Sequence, residues 1–330
     1  MESFLFAVNA VLPIILMVGL GYILKRIGFL NADFSRMGNR LVFRVLLPAM
    51  LFLNVYKISD PSGIELTYVW YVLVALAVIF LLSIPLVFLF TKHADRRGVL
   101  LQAGFRSNYA LIGLPLAQSL FGEAGVTVAT VLSAFTIPLL NVLAVISLSI
   151  FREGKHTINV KGILLEIVKN PLILGVLAGV LALGVRALFD AWGVDFRLSS
   201  VTPVYTVLNY LSNMATPLSL IVLGAQFEFS AIRALRREII AGVLLRNLIV
   251  PVVGLGAAYL FFYPTHFSGA HFAAFVAMFA TPIAVSSVPM AQEMDSDAAL
   301  AGQLVVWTTI VSAFSVFLAA YLLKVGGVFG

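Results

Sequence analysis

The chain contains no cysteine. That removes disulfides, thiolate metal sites and cysteine nucleophiles, and it leaves the redox compartment unread. Charge is nearly as scarce: 11% of residues are Asp, Glu, Lys or Arg, against about 25% in a soluble domain. No acidic residue falls in the middle of a long apolar run, so the buried carboxylate relay of many proton-coupled pumps is missing. The four histidines, His93, His156, His266 and His271, lie in polar breaks or at the ends of apolar runs. His266 with His271 alone falls short of a zinc set. HExxH, Walker A and GxSxG motifs are absent as well. An intramembrane enzyme would need a clustered acid, metal-ligand or nucleophile motif, so no catalytic residue and no cofactor are expected.

What fills the chain instead is apolar. Hydrophobic residues make up 61% of it and the mean hydropathy is +1.06, so much of its surface must face lipid. Runs of about 20 residues or more fall near 4–24, 35–56, 67–90, 98–120, 126–150, 163–189, 203–226, 238–262, 270–292 and 298–323. The reading is an all-α polytopic membrane protein with ten transmembrane helices. The start, Met-Glu-Ser-Phe, lacks a basic stretch, so the first run reads as a permanent span rather than a signal peptide. The longest hydrophilic break lies at 151–162. It divides the chain into a first half at 1–151, a cytoplasmic linker at 152–162 and a second half at 163–330, each half with five spans.

Most of the 21 basic residues lie in the loops after spans 1, 3, 5 and 7, including Lys25, Arg26, Lys92, Arg152, Lys155 and Arg233. The opposite side holds Lys57, Arg186, Arg197 and Lys324. The positive-inside rule then puts both termini on the non-cytoplasmic side of a multi-pass protein of the cell (inner) membrane. This distribution explains a sequence pI near 9.6 without a nucleic-acid partner. Five spans per half also mean that the second half enters the membrane in the opposite orientation. That is a 5+5 inverted repeat.

Span 4 contains the stretch GFRSNYALIGLPLAQSLFG at 104–122. Arg106, Ser107 and Asn108, then Gly113 and Pro115, do not suit a continuous lipid-facing helix. Broken helices survive in a membrane only where protein or a watery cavity takes up the freed backbone groups. A second copy supports the break: PLAQSLFGEAG at 115–125 matches PMAQEMDSDAA at 289–299, and the same frame sets Pro282 opposite Asn108. Pro13 and Pro171 open the first span of each half, and Pro48 and Pro217 interrupt the second. Spans 4 and 9 are therefore expected to be broken and to cross, with half-helix N-termini facing an anionic ligand.

The candidate substrate-binding residues around this crossing are Ser107, Asn108, Tyr109, Gly113 and Pro115, with Thr281, Pro282, Ser286, Ser287 and Pro289. Asn108 could contact a ligand or bond to freed backbone. Ser286 and Ser287 could instead bond back to a carbonyl one turn away. Arg106 and Arg246 lie deep in their spans, where an arginine is costly. Arg106 either attracts an anionic substrate or snorkels to the cytoplasmic surface; Arg246 either meets substrate or is tied to a structural partner. Arg36, Arg40 and Arg44 recur every fourth residue as an interfacial stripe, suited to lipid headgroups.

These stretches resemble the auxin efflux carrier family, the plant PIN proteins and their bacterial relatives. The matching residues are Asn108 followed by Gly113-x-Pro115 and Phe121-Gly122, then Val288-Pro289 with Ala291-Gln292-Glu293-Met294, and Asn170-Pro171-Leu172. The resemblance implies a fold like that of the bile-acid symporters. In that fold spans 1, 2, 6 and 7 form a scaffold, and spans 3–5 and 8–10 a transport domain. It further implies elevator-type alternating access, a homodimer through the scaffold, and a small organic anion as substrate. Ser107 departs from the plant proteins, which place proline before the Asn, and the long plant cytoplasmic loop is reduced here to 151–162. A secondary carrier for a mono- or dicarboxylate or auxin-like acid is the leading expectation, with membrane lipids as its surroundings. A Na⁺- or H⁺-coupled symporter of the same fold is the alternative, and a membrane sensor the next.

Overall fold

The computed structural model describes residues 2–57, 66–151 and 160–329, with side chains from residue 12 onward except at 160–163 and 166. Most of the linker at 152–162, with Arg152 and Lys155, therefore lies outside the described residues. Every regular element among them is helical. In order these are α1 (Glu2–Arg26), α2 (Ala32–Leu41), α3 (Leu47–Tyr56), α4 (Thr67–Phe90), α5 (Ala94–Phe105), α6 (Leu114–Ile150), α7 (Val160–Lys169), α8 (Pro171–Ala191) and α9 (Thr202–Gln226). Then come α10 (Phe229–Leu244), α11 (Val250–Phe262), α12 (Gly269–Phe279), α13 (Ser287–Glu293) and α14 (Ala298–Val325).

Among the described residues, seven helical stretches are long and apolar enough to cross a bilayer: Ala32–Tyr56, α4, Tyr109–Ile150, α8, α9, Phe229–Phe262 and α14. Two differences from the ten sequence spans have physical causes. Spans 4 and 5 run together through α6, whose 37 residues would extend about 55 Å if straight, far beyond a hydrocarbon core of about 30 Å. The chain turns instead at Phe121 and Gly122, where Gly122 adopts φ +57° and ψ −148°, a conformation open essentially to glycine. Span 9 contributes only the 11-residue α12 and, after a break, the seven-residue α13. Span 6 also starts later than its apolar run. Asn170 caps α8 by accepting from the Leu172 N–H at 2.9 Å, with Pro171 in the first turn.

Three prolines reshape their helices in one way. Pro48, Pro115 and Pro251 each stand two residues after a five-residue widened turn, at Val42–Leu46, Tyr109–Gly113 and Leu245–Ile249. A turn closed by i→i+5 bonds moves the preceding carbonyls away from the proline ring and accepts its missing N–H. Pro217, read as an interruption of span 7, does not interrupt it: α9 runs through Pro217 to Gln226.

Two sets of helices pack among themselves. In one, α1 lies on α9, and α3 lies on α8 and α9. In the other, α12 and α5 lie on α6, while α10 and α13 lie on α14, and α1 of the first set also lies on α14. The first set is drawn together by small residues, as the Gly175-x-x-x-Gly179 spacing suggests. A Cβ on Gly175 would stand 2.6 Å from the Pro48 carbonyl oxygen, and one on Gly179 would stand 2.8 Å from that of Phe52. Gly175→Ala is thus expected to cost about 1–3 kcal/mol through overpacking. Gly184→Ala, on the same helix but with nothing within 4 Å of its Cβ, should leave the unfolding temperature in detergent unchanged or slightly raised.

The second set is pinned by charge. Arg96 of α5 bonds Glu238 of α10 at 3.2 Å and Asp297 at 3.0 Å, the residue that caps α14. Burial works against the Arg96 charge, but the bonds and charges of Glu238 and Asp297 outweigh it and hold the guanidinium above its ordinary pKa.

Candidate functional site

The two interrupted segments lie against each other as a single antiparallel bridge between Ser107 and Ile283. The Asn108 N–H donates to the Pro282 carbonyl at 2.8 Å, and the Ala284 N–H to the Arg106 carbonyl at 3.4 Å. The sequence frame that set Asn108 opposite Pro282 therefore paired residues in main-chain contact. Side chains take up the remaining strands of the break. The Ser107 and Thr281 hydroxyls are 2.7 Å apart, and Thr281 also donates to the Ala277 carbonyl at 2.7 Å. The Thr308 hydroxyl of α14 accepts from the Ile283 N–H at 3.2 Å. Such pairing is what lets irregular backbone exist away from water.

Pro115 and Pro289 stand in the first turns of α6 and α13, where a missing N–H costs nothing. The half-helix N-termini are unequal, however. Ahead of α6, the N–H groups of Ile112 and Gly113 bond to the Asn108 carbonyl, while Ala110 and Leu111 in the turn before them line an open cleft. At α13 the N–H groups of Ser287 and Val288 are already taken by the carbonyls of Ala284 and Val285. The expected unpaired N–H pole is therefore not found at α13.

The cleft, of about 700 Å³, separates the two helix sets. One wall is Pro13 and Met17 of α1, Met50 and Asn54 of α3, and Ser212, Asn213 and Thr216 of α9. The other is Asn108, Ala110, Leu111, Ile112 and Pro115 with Val285 and Ser286. A narrower chamber of about 60 Å³ shares Met50, Asn54, Asn108, Ala110 and Ser286 with the cleft and adds Arg106, Ser107, Tyr109 and Asn141.

At the back of that chamber lies Arg106, 2% exposed. Its Nη2 donates to the Ser286 hydroxyl at 2.9 Å and to Asn141 Oδ1 at 3.4 Å. Its Nη1 donates to Gln102 Oε1 at 3.1 Å and meets the Met290 sulfur. All four partners are neutral, and no carboxylate lies within ion-pair distance of Arg106 among the described residues. Arg106 points inward and does not snorkel. Beside it the Asn108 side-chain Nδ2 is buried with no hydrogen-bond partner among the described residues.

Of the candidate residues, Arg106, Ser107, Asn108, Tyr109 and Ser286 line the chamber, and Pro115 lines the cleft. Gly113, Thr281, Pro282, Ser287, Pro289 and Arg246 line neither. Gly113 lets the segment approach α12, since a Cβ there would stand 3.1 Å from the Ala277 carbonyl oxygen. The Tyr109 hydroxyl is spent on the Ala129 carbonyl at 3.0 Å. Sequence reading missed Asn54, Asn141 and the Ser212-Asn213 pair. Their one signal was an amide or hydroxyl standing alone inside an apolar run.

The arginine stripe, read as an interfacial face, runs from α2 into the widened turn after it and is partly engaged in ion pairs. Arg40 and Arg44 reach Glu293 at the end of α13, at 3.9 and 3.4 Å. Next to them the Asn39 amide donates to both Gln226 of α9 and Gln292 of α13, and Gln226 donates to Gln292 at 3.0 Å. The cleft residues Ser212 to Leu220 lie about two to four turns along α9 from Gln226. These contacts therefore tie the two helix sets together beyond one end of the cleft.

A family model described as "Membrane transport protein" matches residues 6–161 and 141–320. An uncharacterised transporter of Methanothermobacter thermautotrophicus is 29% identical over 94% of this chain and 97% of its own length. An uncharacterised transporter of Methanocaldococcus jannaschii is 27% identical over 68% of this chain and 70% of its own.

Proposed function

Because the chain belongs to the membrane transport protein family, that of the auxin efflux carriers, we propose that it is a secondary carrier for a small organic anion, a mono- or dicarboxylate. The observation that carries this reading is the Arg106 guanidinium, buried without a counter-ion at the back of a polar chamber that continues into the cleft. A carboxylate entering the chamber would supply the missing negative charge and could accept the unused Asn108 N–H. Ser286 and Asn141, already bonded to Arg106, would hold the guanidinium for it.

The rest of the mechanism follows from the two helix sets. We take α1–α3, α8 and α9 as the scaffold and the remainder, with both broken spans, as the moving transport domain of a ten-span inverted repeat. Arg96, Glu238 and Asp297 keep the moving part rigid. The Asn39–Gln226–Gln292 cluster and the Glu293 pairs close one side, the cytoplasmic side by the positive-inside rule, with both termini opposite. Alternating access is then elevator-like, with the bound anion travelling beside Arg106. A scaffold homodimer completes the reading.

Counterflow of labelled malate, malonate and indole-3-acetate in proteoliposomes tests it without any imposed ion gradient. Saturable exchange is expected for at least one of them. Asn108→Ala should raise its half-saturating concentration about tenfold to 150-fold, the worth of one hydrogen bond to a charged carboxylate. Exchange of none of these by folded protein would overturn the carboxylate assignment.

A further inference from the structure

Arg246 is the second fully buried arginine, 0% exposed, and the anion site does not use it. It stands in the widened turn Leu245–Ile249. Its Nε donates to the Thr281 carbonyl at 2.7 Å and its Nη2 to the Met278 carbonyl at 2.7 Å. No carboxylate pairs with it among the described residues. Met278 belongs to the last turn of α12 and Thr281 to the break, so both oxygens are carbonyls freed by the interruption. They also lie at the negative end of the α12 dipole. Carbonyls at such a half-helix end are the kind of group that coordinates a dissociable cation in transporters. Here a tethered side chain already holds two of them.

We propose that Arg246 is a resident cation. Its guanidinium occupies the carbonyl site of the second break permanently, fixes the geometry against which Asn108 and Ser107 pack, and removes the need for an exchangeable alkali ion there. The coupling consequence rests on the carrier reading; the cation-binding consequence does not. Arg246 is a positioning residue, since it neither lines the chamber nor reaches an anion in it.

The test compares wild type, Arg246→Met and Arg246→Lys in detergent, with unfolding temperature read in N-methylglucamine, sodium or low-millimolar guanidinium chloride. Wild type should unfold at the same temperature in all three. Arg246→Met should unfold several degrees lower in N-methylglucamine and recover part of the loss in sodium or guanidinium, as an emptied cation site refills. Arg246→Lys, whose compact ammonium lacks the guanidinium fork that spans the two carbonyls, should fall between and gain less from added cation. Sodium stabilising wild type as strongly as the Met variant would overturn the proposal, because the carbonyls would then already be open. A Met variant as stable as wild type and deaf to cations would overturn it too. Wild-type counterflow should in turn be unchanged, within about twofold, when sodium is replaced. Failure of counterflow in every salt, with the thermal pattern intact, would reject the carrier reading and leave the resident cation standing.

Discussion

Arg106→Met is expected to remove anion exchange while leaving the protein as stable as before, or more stable. The two halves of this result have opposite origins. For binding, truncating one partner of a buried charge pair costs about 2–5 kcal/mol, or about 30-fold to 4,000-fold in apparent affinity. At its upper end that exceeds what a single Asn108 bond to a carboxylate is worth, about 1.5–3 kcal/mol. For folding, the substrate-free protein holds a buried charge whose partners are Gln102, Asn141, Ser286 and Met290, all neutral. Burying such a charge is costly, and replacing it by an apolar chain of similar length is often neutral or stabilising.

A purely structural arginine would behave otherwise. If Arg106 existed to tie Ser286 and Gln102 across the break, Arg106→Met would lower the unfolding temperature, and exchange would fall only as far as folding did. Arg106→Lys separates charge from geometry. One ammonium keeps the attraction but cannot serve Ser286, Asn141 and Gln102 together, so weakened rather than abolished exchange is expected. Substrate should raise the unfolding temperature of wild type and not that of the Met variant, which can be measured before any transport assay. Wild-type affinity in Arg106→Met would remove the guanidinium from the site.

The outline of this site was legible because polar residues are conspicuous in apolar runs. Arg-Ser-Asn at 106–108 and the paired Pro-x-Ala-Gln motifs located both breaks, and their common frame even matched Asn108 with Pro282. Side-chain direction was not legible. From its depth, Arg106 can reach either the interface or the interior, and only its packing beside Asn141 and Met290 decides. Arg246 was equally ambiguous, because the carbonyls that hold it come from residues 32 and 35 positions away. Nor did proline alone say where a helix would be reshaped. Pro48 and Pro115 follow widened turns, whereas Pro217 lies in an uninterrupted helix, since a proline can also be absorbed by gentle bending. Asn54 and Ser212 offered only a polar side chain inside an apolar run, with no motif around it. They matter only because α3 and α9 form one wall of the cleft.

Joining Asn39→Cys to Gln292→Cys with a short bis-methanethiosulfonate should bring exchange to background, and reductant should restore it. The native chain has no cysteine, so the introduced pair would be the only target. The logic lies in how weak these polar contacts between the helix sets are. Glu293 is 11% exposed at its side chain, but Arg44 is 63% exposed, and an ion pair with such an exposed partner is worth about 1 kcal/mol or less. The amide cluster adds a few neutral bonds of similar size. Contacts of that strength can open at every turnover, whereas the Arg96–Glu238–Asp297 group, largely buried within one helix set, is built to stay closed. Glu293→Gln alone should therefore shift the open and closed populations only a few-fold, about the change that 1 kcal/mol allows, and alter exchange modestly. A covalent bridge at the same place is not opened by thermal motion, so it should stop the cycle outright. Each single-cysteine variant treated with the reagent should keep its exchange, which separates locking from mere modification. Cross-linked protein that exchanged as fast as reduced protein would mean that residues 39 and 292 stay together throughout transport. The moving boundary would then have to be sought elsewhere, and the division of the chain into these two helix sets would fall with it.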